Sequence, residues 1–319
     1  MPPRHRGTPA GGAARASAAA VQTSVPVSEE LFAPVGRGIE LCYQTFGDPD
    51  GEPLLLVMGL GGPMNWWDPD LCAALARVGF YVVRYDNRDT GRSTVLDTVV
   101  GRSTLVRAFA GGRVRAPYGI GDLADDAFGL MDHLGLESAH VVGVSMGGMI
   151  VQTMAISRPS RVRSMTSIMS TLGKRTVGWQ HPKLLPMLIA PRGPGRAAYA
   201  ETSARMWQFI GSPGYPTDTA VQRARAEETF DRGFSASGVM RQMLAILNQP
   251  NRSRALRSLR MPVCVIHGDS DAMVHVSGGR ATAAAIPGAE LLIVKGMGHD
   301  LPAQLWPTFV DAIRRTANR

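Results

Sequence analysis

Short apolar segments alternate with helical stretches along most of this chain, and this alternation restricts its fold more than any other feature. Helical periods, such as Leu71–Arg77 and Leu123–Leu136, lie between several of the segments. Parallel strands need crossover connections, and helical crossovers cover the faces of the sheet. The sequence therefore predicts an α/β protein with a mostly parallel central sheet flanked by helices. The segments predicted as buried strands are Pro53–Met58, Tyr81–Tyr85, His140–Val144, Val162–Met169, Pro262–Ile266 and Glu290–Val294.

The alternation stops between about residues 171 and 259, where the turn clusters Pro191–Gly195 and Gly211–Pro216 separate helix-like pieces. One piece, Gly238–Leu247, places its large apolar side chains on one helical face. We expect residues 171–259 to form a helical cap inserted into a core made of residues 29–170 and 260–319. Most of the large apolar side chains of the cap should pack it onto the core, and some should roof an apolar pocket: Trp179, Trp207, Phe209, Phe230, Met187 and Met206.

Residues 1–28 differ in composition from the rest of the chain. They are rich in Ala, Gly, Pro and Arg and show no hydrophobic period. Arg15 interrupts the apolar stretch that a signal peptide would need. We therefore expect a disordered N-terminal extension.

Composition excludes several classes of protein. Hydrophobic residues make up 45% of the chain and charged residues 19%, which suits a folded core and excludes global disorder. No apolar run is long enough to cross a bilayer. The cysteines are few and odd in number (Cys42, Cys72 and Cys264), so a reducing compartment, the cytoplasm, is expected, with export as the alternative. The net charge of +8 comes without interleaved aromatic residues, so no nucleic-acid partner is expected.

The pentad Gly143-Val144-Ser145-Met146-Gly147 follows the predicted strand that begins at His140 and precedes the helical stretch Gly148–Ser157. A serine on a sharp strand-to-helix turn has a strained backbone, and glycines two positions to either side relieve the crowding. The helix that follows directs the positive end of its dipole at the serine. This context predicts a nucleophilic Ser145.

A serine hydroxyl needs a base to take its proton and a carboxylate to orient that base. Downstream, the predicted strand Pro262–Ile266 leads into a turn that contains Asp271, and the last predicted strand leads into a turn that contains His299. Because the carboxyl ends of parallel strands meet at one edge of the sheet, we expect Ser145, Asp271 and His299 to lie together there.

At this point the chain resembles the α/β-hydrolase superfamily from residue 36 to residue 317. More narrowly, it is similar to bacterial esterases that include anthracycline methylesterases and actinobacterial lipase/esterase proteins. The segments that carry the resemblance are Leu54–Gly59, Arg84–Ser93, His140–Gly147 and Gly296–His299. The resemblance implies the α/β-hydrolase fold with a helical cap.

Matched residue by residue, the resemblance assigns the nucleophile to Ser145, the general base and acid to His299, and the orienting acid to Asp271. Asp269 is the rival for the acid, although its place nearer the strand suits a turn cap. Asp300 is expected to face solvent or to cap the last helix.

The resemblance also implies an oxyanion hole made by two backbone N–H groups, those of Met146 and Leu60. The family usually has His-Gly in the turn that contains Leu60, whereas this chain has Met58-Gly59, so a usual loop-fixing hydrogen bond is lost. Trp66 and Trp67 follow this turn as candidate substrate-binding residues, and core packing is the alternative for one of them.

These assignments imply a serine hydrolase that cleaves a small-molecule carboxylic ester with an apolar acyl or alcohol group, through an acyl-enzyme intermediate. No cofactor and no metal are expected. Cofactor-free perhydrolases of the haloperoxidase kind and carbon–carbon bond hydrolases share the same three residues and stay open as alternatives. A catalytically silent small-molecule-binding protein is the alternative from another class.

Two further motifs have competing interpretations. His267, Asp269, Asp271 and His275 could chelate a metal, but no second ligand motif such as His-Glu-x-x-His accompanies them. The segment Asp86–Ser93 contains residue types used in catalysis, yet such a segment in this superfamily shapes the turn after a strand, so a structural role is predicted.

Overall fold

An eight-stranded sheet forms the centre of the protein in the computed structural model, which describes residues 24–184 and 195–319. The strand order is β1-β2-β4-β3-β5-β6-β7-β8. Only β2 runs antiparallel to its neighbours among these eight strands. The prediction of a mostly parallel sheet is thus confirmed. The strands are β1 (Leu31–Gly36), β2 (Ile39–Phe46), β3 (Glu52–Val57), β4 (Phe80–Tyr85), β5 (Ala139–Val144), β6 (Val162–Ile168), β7 (Val263–Gly268) and β8 (Glu290–Val294).

Ten α-helices occur in the described part of the chain. Several begin at a side-chain cap: the carboxylates of Asp68 and Asp218 and the hydroxyl of Ser235 each accept a backbone N–H of the first turn. The helices are α1 (Pro69–Arg77), α2 (Arg102–Phe109), α3 (Ile120–His133), α4 (Met146–Ser157), α5 (Arg196–Ile210), α6 (Thr219–Asp231), α7 (Ala236–Leu247), α8 (Ser253–Leu256), α9 (Ser277–Ala285) and α10 (Trp306–Ala317).

The inner strands are buried on both faces, which explains why they are continuous apolar runs in the sequence. On β3, Leu55 packs in the hydrophobic cluster that contains α3 and α4 residues, whereas Leu54 and Leu56 pack in the cluster that contains α1 and α10 residues. The sheet therefore holds the helices on its two sides and presents the carboxyl ends of its parallel strands at one edge.

The prediction missed β1 and β2. Pro34 and the terminal Gly36 weaken the strand signal of β1, which is an edge strand. In β2, polar Glu40 and Gln44 interrupt the apolar pattern. Both strands therefore lack the continuous apolar runs of strands such as β3 and β7.

Four helices, α5 to α8, lie between β6 and β7 in the described residues, as the predicted helical insertion requires. Buried ion pairs attach this helical segment to the turn after β4. From α7, Arg241 pairs with Asp89, with Nε 2.8 Å from Oδ2 and Nη2 2.7 Å from Oδ1. Arg232, just after α6, pairs with Asp86 through Nη2 at 2.8 Å. Asp86 also accepts the N–H groups of Met64 and Arg92, so the segment Asp86–Ser93 has the structural role predicted for it.

Replacement of Arg241 by alanine is expected to lower the free energy of unfolding by about 3–5 kcal/mol, because Asp89 would keep its charge in a buried site without its cationic partner. Burial opposes the ionisation of Asp89, but the hydrogen bonds from Arg241 and Tyr118 outweigh it and lower the pKa of this carboxyl. Urea unfolding followed by circular dichroism measures the effect.

Arg223 provides the matched control for Arg241, since it pairs with Glu227 one turn along α6 in an exposed position. Its replacement by alanine should cost less than about 1 kcal/mol. Equal losses for the two variants would contradict a buried ion pair that holds the helical segment.

The predicted N-terminal extension and part of the predicted helical cap lie outside the described residues. Residues 1–23 of the predicted disordered extension are outside the described residues, and so are Met187 and residues 191–194 of the predicted turn cluster.

Each helix in the described residues is too short or too polar to cross a lipid bilayer. Cys42, Cys72 and Cys264 are all buried free thiols.

Candidate active site

Ser145 occupies the turn between β5 and α4, with φ +55° and ψ −116°. The structure shows why glycines flank it. A Cβ on Gly143 would lie 2.2 Å from the carbonyl oxygen of Gly147, and a Cβ on Gly147 would lie 2.0 Å from the carbonyl oxygen of Val57. The strand-to-helix turn therefore accepts no side chain at either position, and its strained backbone holds Ser145 above the sheet edge.

The three predicted side chains lie together at the carboxyl ends of β5, β7 and β8. His299 Nε2 is 3.0 Å from Ser145 Oγ, and His299 Nδ1 is 2.8 Å from Asp271 Oδ2. Since an ionised carboxylate only accepts hydrogen bonds, Nδ1–H donates to Asp271 and the lone pair of Nε2 faces the serine hydroxyl. This arrangement is able to move the proton of Ser145 to His299.

The side chain of Asp271 is fully buried. Burial opposes its ionisation, but electrostatic attraction to His299 and hydrogen bonds from His267 and His299 outweigh it and lower the pKa of the carboxyl. Its Oδ1 accepts the N–H groups of Met273 and Val274 at 2.9 and 2.8 Å. Asp271 is therefore a fixed carboxylate that is able to stabilise a positively charged imidazole.

The rival carboxylates have other partners. Asp269 Oδ1 accepts the N–H of Gly296 at 2.7 Å and the hydroxyl of Ser270 at 2.9 Å, so it joins two turns. The expectation that Asp300 faces solvent or caps a helix is wrong, because Asp300 is half-buried and accepts a hydrogen bond from Ser212. Burial raises the pKa of Asp300 against the lowering effect of that bond. Of the three carboxylates, only Asp271 hydrogen-bonds to the imidazole of His299 in the described residues.

Sequence reasoning missed the role of His267 beside Asp271. His267 Nε2 is 2.8 Å from the carbonyl oxygen of Val274 and 3.4 Å from Asp271 Oδ2. Because both atoms are acceptors, Nε2 carries the proton. The spacing of four residues across a tight turn was the only signal for this contact.

No group of three or more His, Cys, Asp or Glu residues in the described ranges is arranged to hold a metal ion.

The turn after β3 lies directly against the serine. A Cβ on Gly59 would be 3.1 Å from the Cβ of Ser145. Within the described residues, the N–H groups of Leu60 and Met146 have no hydrogen-bond partner. The turn that contains Leu60 therefore adjoins the serine that precedes Met146, and the oxyanion hole made by these two N–H groups stays a prediction.

Gln242 of α7 supplies a hydrogen bond to this turn, which lacks the histidine usual in the family. Its Oε1 accepts the N–H of Gly61 at 2.8 Å, while its Nε2 donates to Arg88 O and Thr90 Oγ1, each at 2.8 Å. The side chain is fully buried. Gln242 thus connects residues 59–62, which we name the glycine turn, to the segment after β4. Sequence reasoning missed this contact.

The two tryptophans have different environments. Trp66 donates from Nε1 to Thr229 Oγ1 of α6 at 2.9 Å and packs edge-on against Trp207 of α5, with the ring centres 5.1 Å apart. Trp67 is 1% exposed and packs in the hydrophobic cluster with Leu71 of α1. Trp67 therefore takes the core-packing alternative, because its ring fills the core beside α1. Substrate binding by Trp66 stays a prediction.

Comparison with known proteins gives the family. Residues 52–303 match the model of the alpha/beta hydrolase fold, so the chain belongs to the α/β-hydrolase family. It is similar to the rhodomycin D methylesterase DauP of Streptomyces sp. (strain C5), with 27% identity over 86% of this chain and 94% of the relative. The putative carbamate hydrolase RutD of Caulobacter sp. (strain K31) is 31% identical over 81% of this chain and 88% of its own length.

A solved structure supports the fold. The enol-lactonase from Burkholderia xenovorans LB400 matches with a TM-score of 0.71 and 23% identity over 91% of this chain and 100% of that chain. The expected resemblance to anthracycline methylesterases is confirmed by the methylesterase relative. At the level of enzyme class, the prediction of a carboxylic ester hydrolase is confirmed as well, because the similar proteins include methylesterases and an enol-lactonase by name.

Proposed function

We propose that this protein is a serine hydrolase that cleaves a small-molecule carboxylic ester through an acyl-enzyme intermediate, with Ser145, His299 and Asp271 as its catalytic residues. The observation that carries the proposal is the continuous hydrogen-bonded path from Ser145 Oγ through the imidazole of His299 to the buried Asp271. The similarity to a rhodomycin D methylesterase supports a substrate in which a small alcohol leaves from the carboxyl group of a larger molecule.

In the first half of the reaction, Ser145 Oγ attacks the ester carbonyl while its proton passes to His299 Nε2. Asp271 stabilises the imidazolium because its charge lies against Nδ1. The N–H groups of Met146 and Leu60 bind the oxyanion of the tetrahedral intermediate. The imidazolium then donates its proton to the leaving alcohol, and the acyl group stays on Ser145.

In the second half, His299 removes a proton from water as the water attacks the acyl-enzyme. The same two N–H groups bind the second oxyanion, and the proton on Nε2 returns to Ser145 when the acid leaves. Each proton that His299 accepts is returned within the cycle, so the balance requires neither a cofactor nor a metal ion.

We propose that residues 171–259 act as the cap of a core formed by residues 29–170 and 260–319. Support comes from helix α6, where Thr229 binds Trp66, and from helix α7, where Gln242 binds the turn that contains Leu60. In this proposal Trp66, which bonds to Thr229 of α6, contacts the substrate between core and cap. Three buried free thiols support the proposed cytoplasmic location.

A fluorophosphonate probe tests the proposed nucleophile. The wild-type protein should be labelled on Ser145, and Ser145→Ala should remain unlabelled, because only a serine activated by a base attacks phosphorus readily. Mass spectrometry of peptides from the labelled protein locates the adduct. Ser157→Ala, at the other end of α4, is the matched control and should label like the wild type.

Labelling and substrate turnover together distinguish the proposed esterase from the alternative functions. A catalytically silent binding protein would stay unlabelled by the fluorophosphonate. Turnover of a panel of p-nitrophenyl esters graded by acyl length should accompany the labelling. Turnover that requires peroxide and halide would instead show a perhydrolase, and cleavage restricted to carbon–carbon bonds would show the other alternative.

A further inference from the structure

The last residue of α5 and the residues that follow it lie against the loop that carries His299. We name residues 210–214 the latch segment and residues 296–300 the histidine loop. The N–H of His299 donates to the carbonyl oxygen of Ile210 at 2.7 Å, and the N–H of Gly214 donates to the carbonyl oxygen of Gly296 at 2.9 Å. The backbone of the histidine loop is therefore hydrogen-bonded to the helical segment.

Ser212, in the middle of the latch segment, binds the residues on both sides of His299. Its Oγ accepts the N–H of Gly298 at 2.8 Å and donates to Oδ1 of Asp300. Ser212 is buried, and Asp300 is half-buried. The hydroxyl of Ser212 thus connects the backbone of Gly298 to the side chain of Asp300. These two bonds restrain the backbone on either side of His299 and so fix the direction of its side chain.

The two backbones touch directly. A Cβ on Gly298 would lie 2.2 Å from the carbonyl oxygen of Gly211, and a Cβ on Gly214 would lie 3.0 Å from the Cα of Gly296. Closely packed backbones leave little room for the histidine loop to shift independently of the latch segment.

We infer that Ser212 and Asp300 are positioning residues that hold His299 Nε2 within hydrogen-bond distance of Ser145 Oγ. The effect on turnover rests on the proposed function. Reacting groups must be placed within fractions of an ångström, and a small displacement of the general base lowers kcat more than it changes substrate binding. A purely structural contact would instead change stability without a selective effect on kcat.

The first test is kinetic. Ser212→Ala should lower kcat for p-nitrophenyl acetate by about 10- to 100-fold with KM changed less than about twofold. Asp300→Ala should have a similar effect, and the double variant should be no slower than the slower single variant, because Asp300 acts on the backbone of Gly298 through the hydroxyl of Ser212. Asp300→Asn should retain kcat within about threefold of the wild type, since its amide oxygen still accepts the bond from Ser212.

The matched control is Ser235→Ala. Ser235 also lies in the helical segment, and its Oγ also accepts a backbone N–H, that of Gly238. In the described residues its hydroxyl has no hydrogen bond to the histidine loop. Its kcat should equal that of the wild type. An unchanged kcat in Ser212→Ala, additive losses in the double variant, or a failure of Asp300→Asn to retain activity would each overturn the inference.

The second test does not depend on activity. Amide hydrogen exchange followed by NMR should show the N–H groups of Gly298 and His299 exchanging at least about tenfold faster in Ser212→Ala than in the wild type or in Ser235→Ala. Equal exchange rates in Ser212→Ala and the wild type would overturn the inference that Ser212 holds the histidine loop, even if the protein hydrolyses esters. Conversely, a wild-type protein without esterase activity would contradict the proposed function, while the exchange rates would still decide the inference.

Discussion

Replacement of His299 by alanine is expected to lower kcat for p-nitrophenyl acetate by about 10⁴- to 10⁶-fold, and replacement of Ser145 by alanine should have an effect of the same size. The reason is that neither residue works alone: the hydroxyl needs the imidazole that lies 3.0 Å away, and the imidazole has no other nucleophile to activate. Steady-state kinetics of both single variants and of the double variant measure the effect.

The double variant decides whether the two residues form one unit. Its kcat should be no lower than that of the slower single variant, because removal of either residue already stops covalent catalysis. His133→Ala is the matched control, since His133 is exposed at the end of α3 and should leave kcat unchanged. Multiplying losses in the double variant would contradict the proposed mechanism.

Asp271→Asn is expected to lower kcat by about 10⁴-fold, the second of the two largest effects. An asparagine at this position donates a hydrogen bond from its amide to Nδ1, which leaves the proton of the neutral imidazole on Nε2 and removes the lone pair that faces Ser145. The buried position and lowered pKa of Asp271 mean that the wild-type side chain is a carboxylate throughout the usual assay range.

Asp269→Asn is the matched control in the same turn. Asp269 Oδ1 accepts hydrogen bonds from Gly296 and Ser270, and the amide oxygen of asparagine still accepts both, so this replacement should change kcat by less than about threefold. Thermal unfolding of both variants shows whether each is folded. A larger loss in Asp269→Asn than in Asp271→Asn would reassign the orienting acid.

The inner strands of the fold could be predicted from the sequence because burial on both faces produces uninterrupted apolar runs. The predicted bounds of β3 and β7 differ from the observed ones by one or two residues at each end, and those of β8 agree. The edge strand β1 could not be predicted in the same way, because its exposure permits polar residues and a proline, and its neighbour β2 was missed because Glu40 and Gln44 interrupt its apolar pattern.

The residues of the site differ in how much signal they leave in the chain. Ser145, Asp271 and His299 each follow a predicted strand, and this shared position indicated that they meet. Gln242 gives no such signal, since its contact with Gly61 joins residues 181 positions apart through a helix of ordinary composition. Adjacent tryptophans carry no period, so the sequence did not show that Trp67 belongs to the core.

The attachments of the helical segment set a limit on exchanging parts between relatives. A chimera that takes residues 171–259 from another family member, in order to change substrate preference, also replaces Gln242 and Ser212. The recipient then loses the partners of its own glycine turn and of its own histidine loop. We therefore expect a chimera to keep its turnover when the transplanted segment has an amide at the position of Gln242 and a hydroxyl at the position of Ser212. Chimeras chosen only for the residues that line the pocket should fold but turn over slowly.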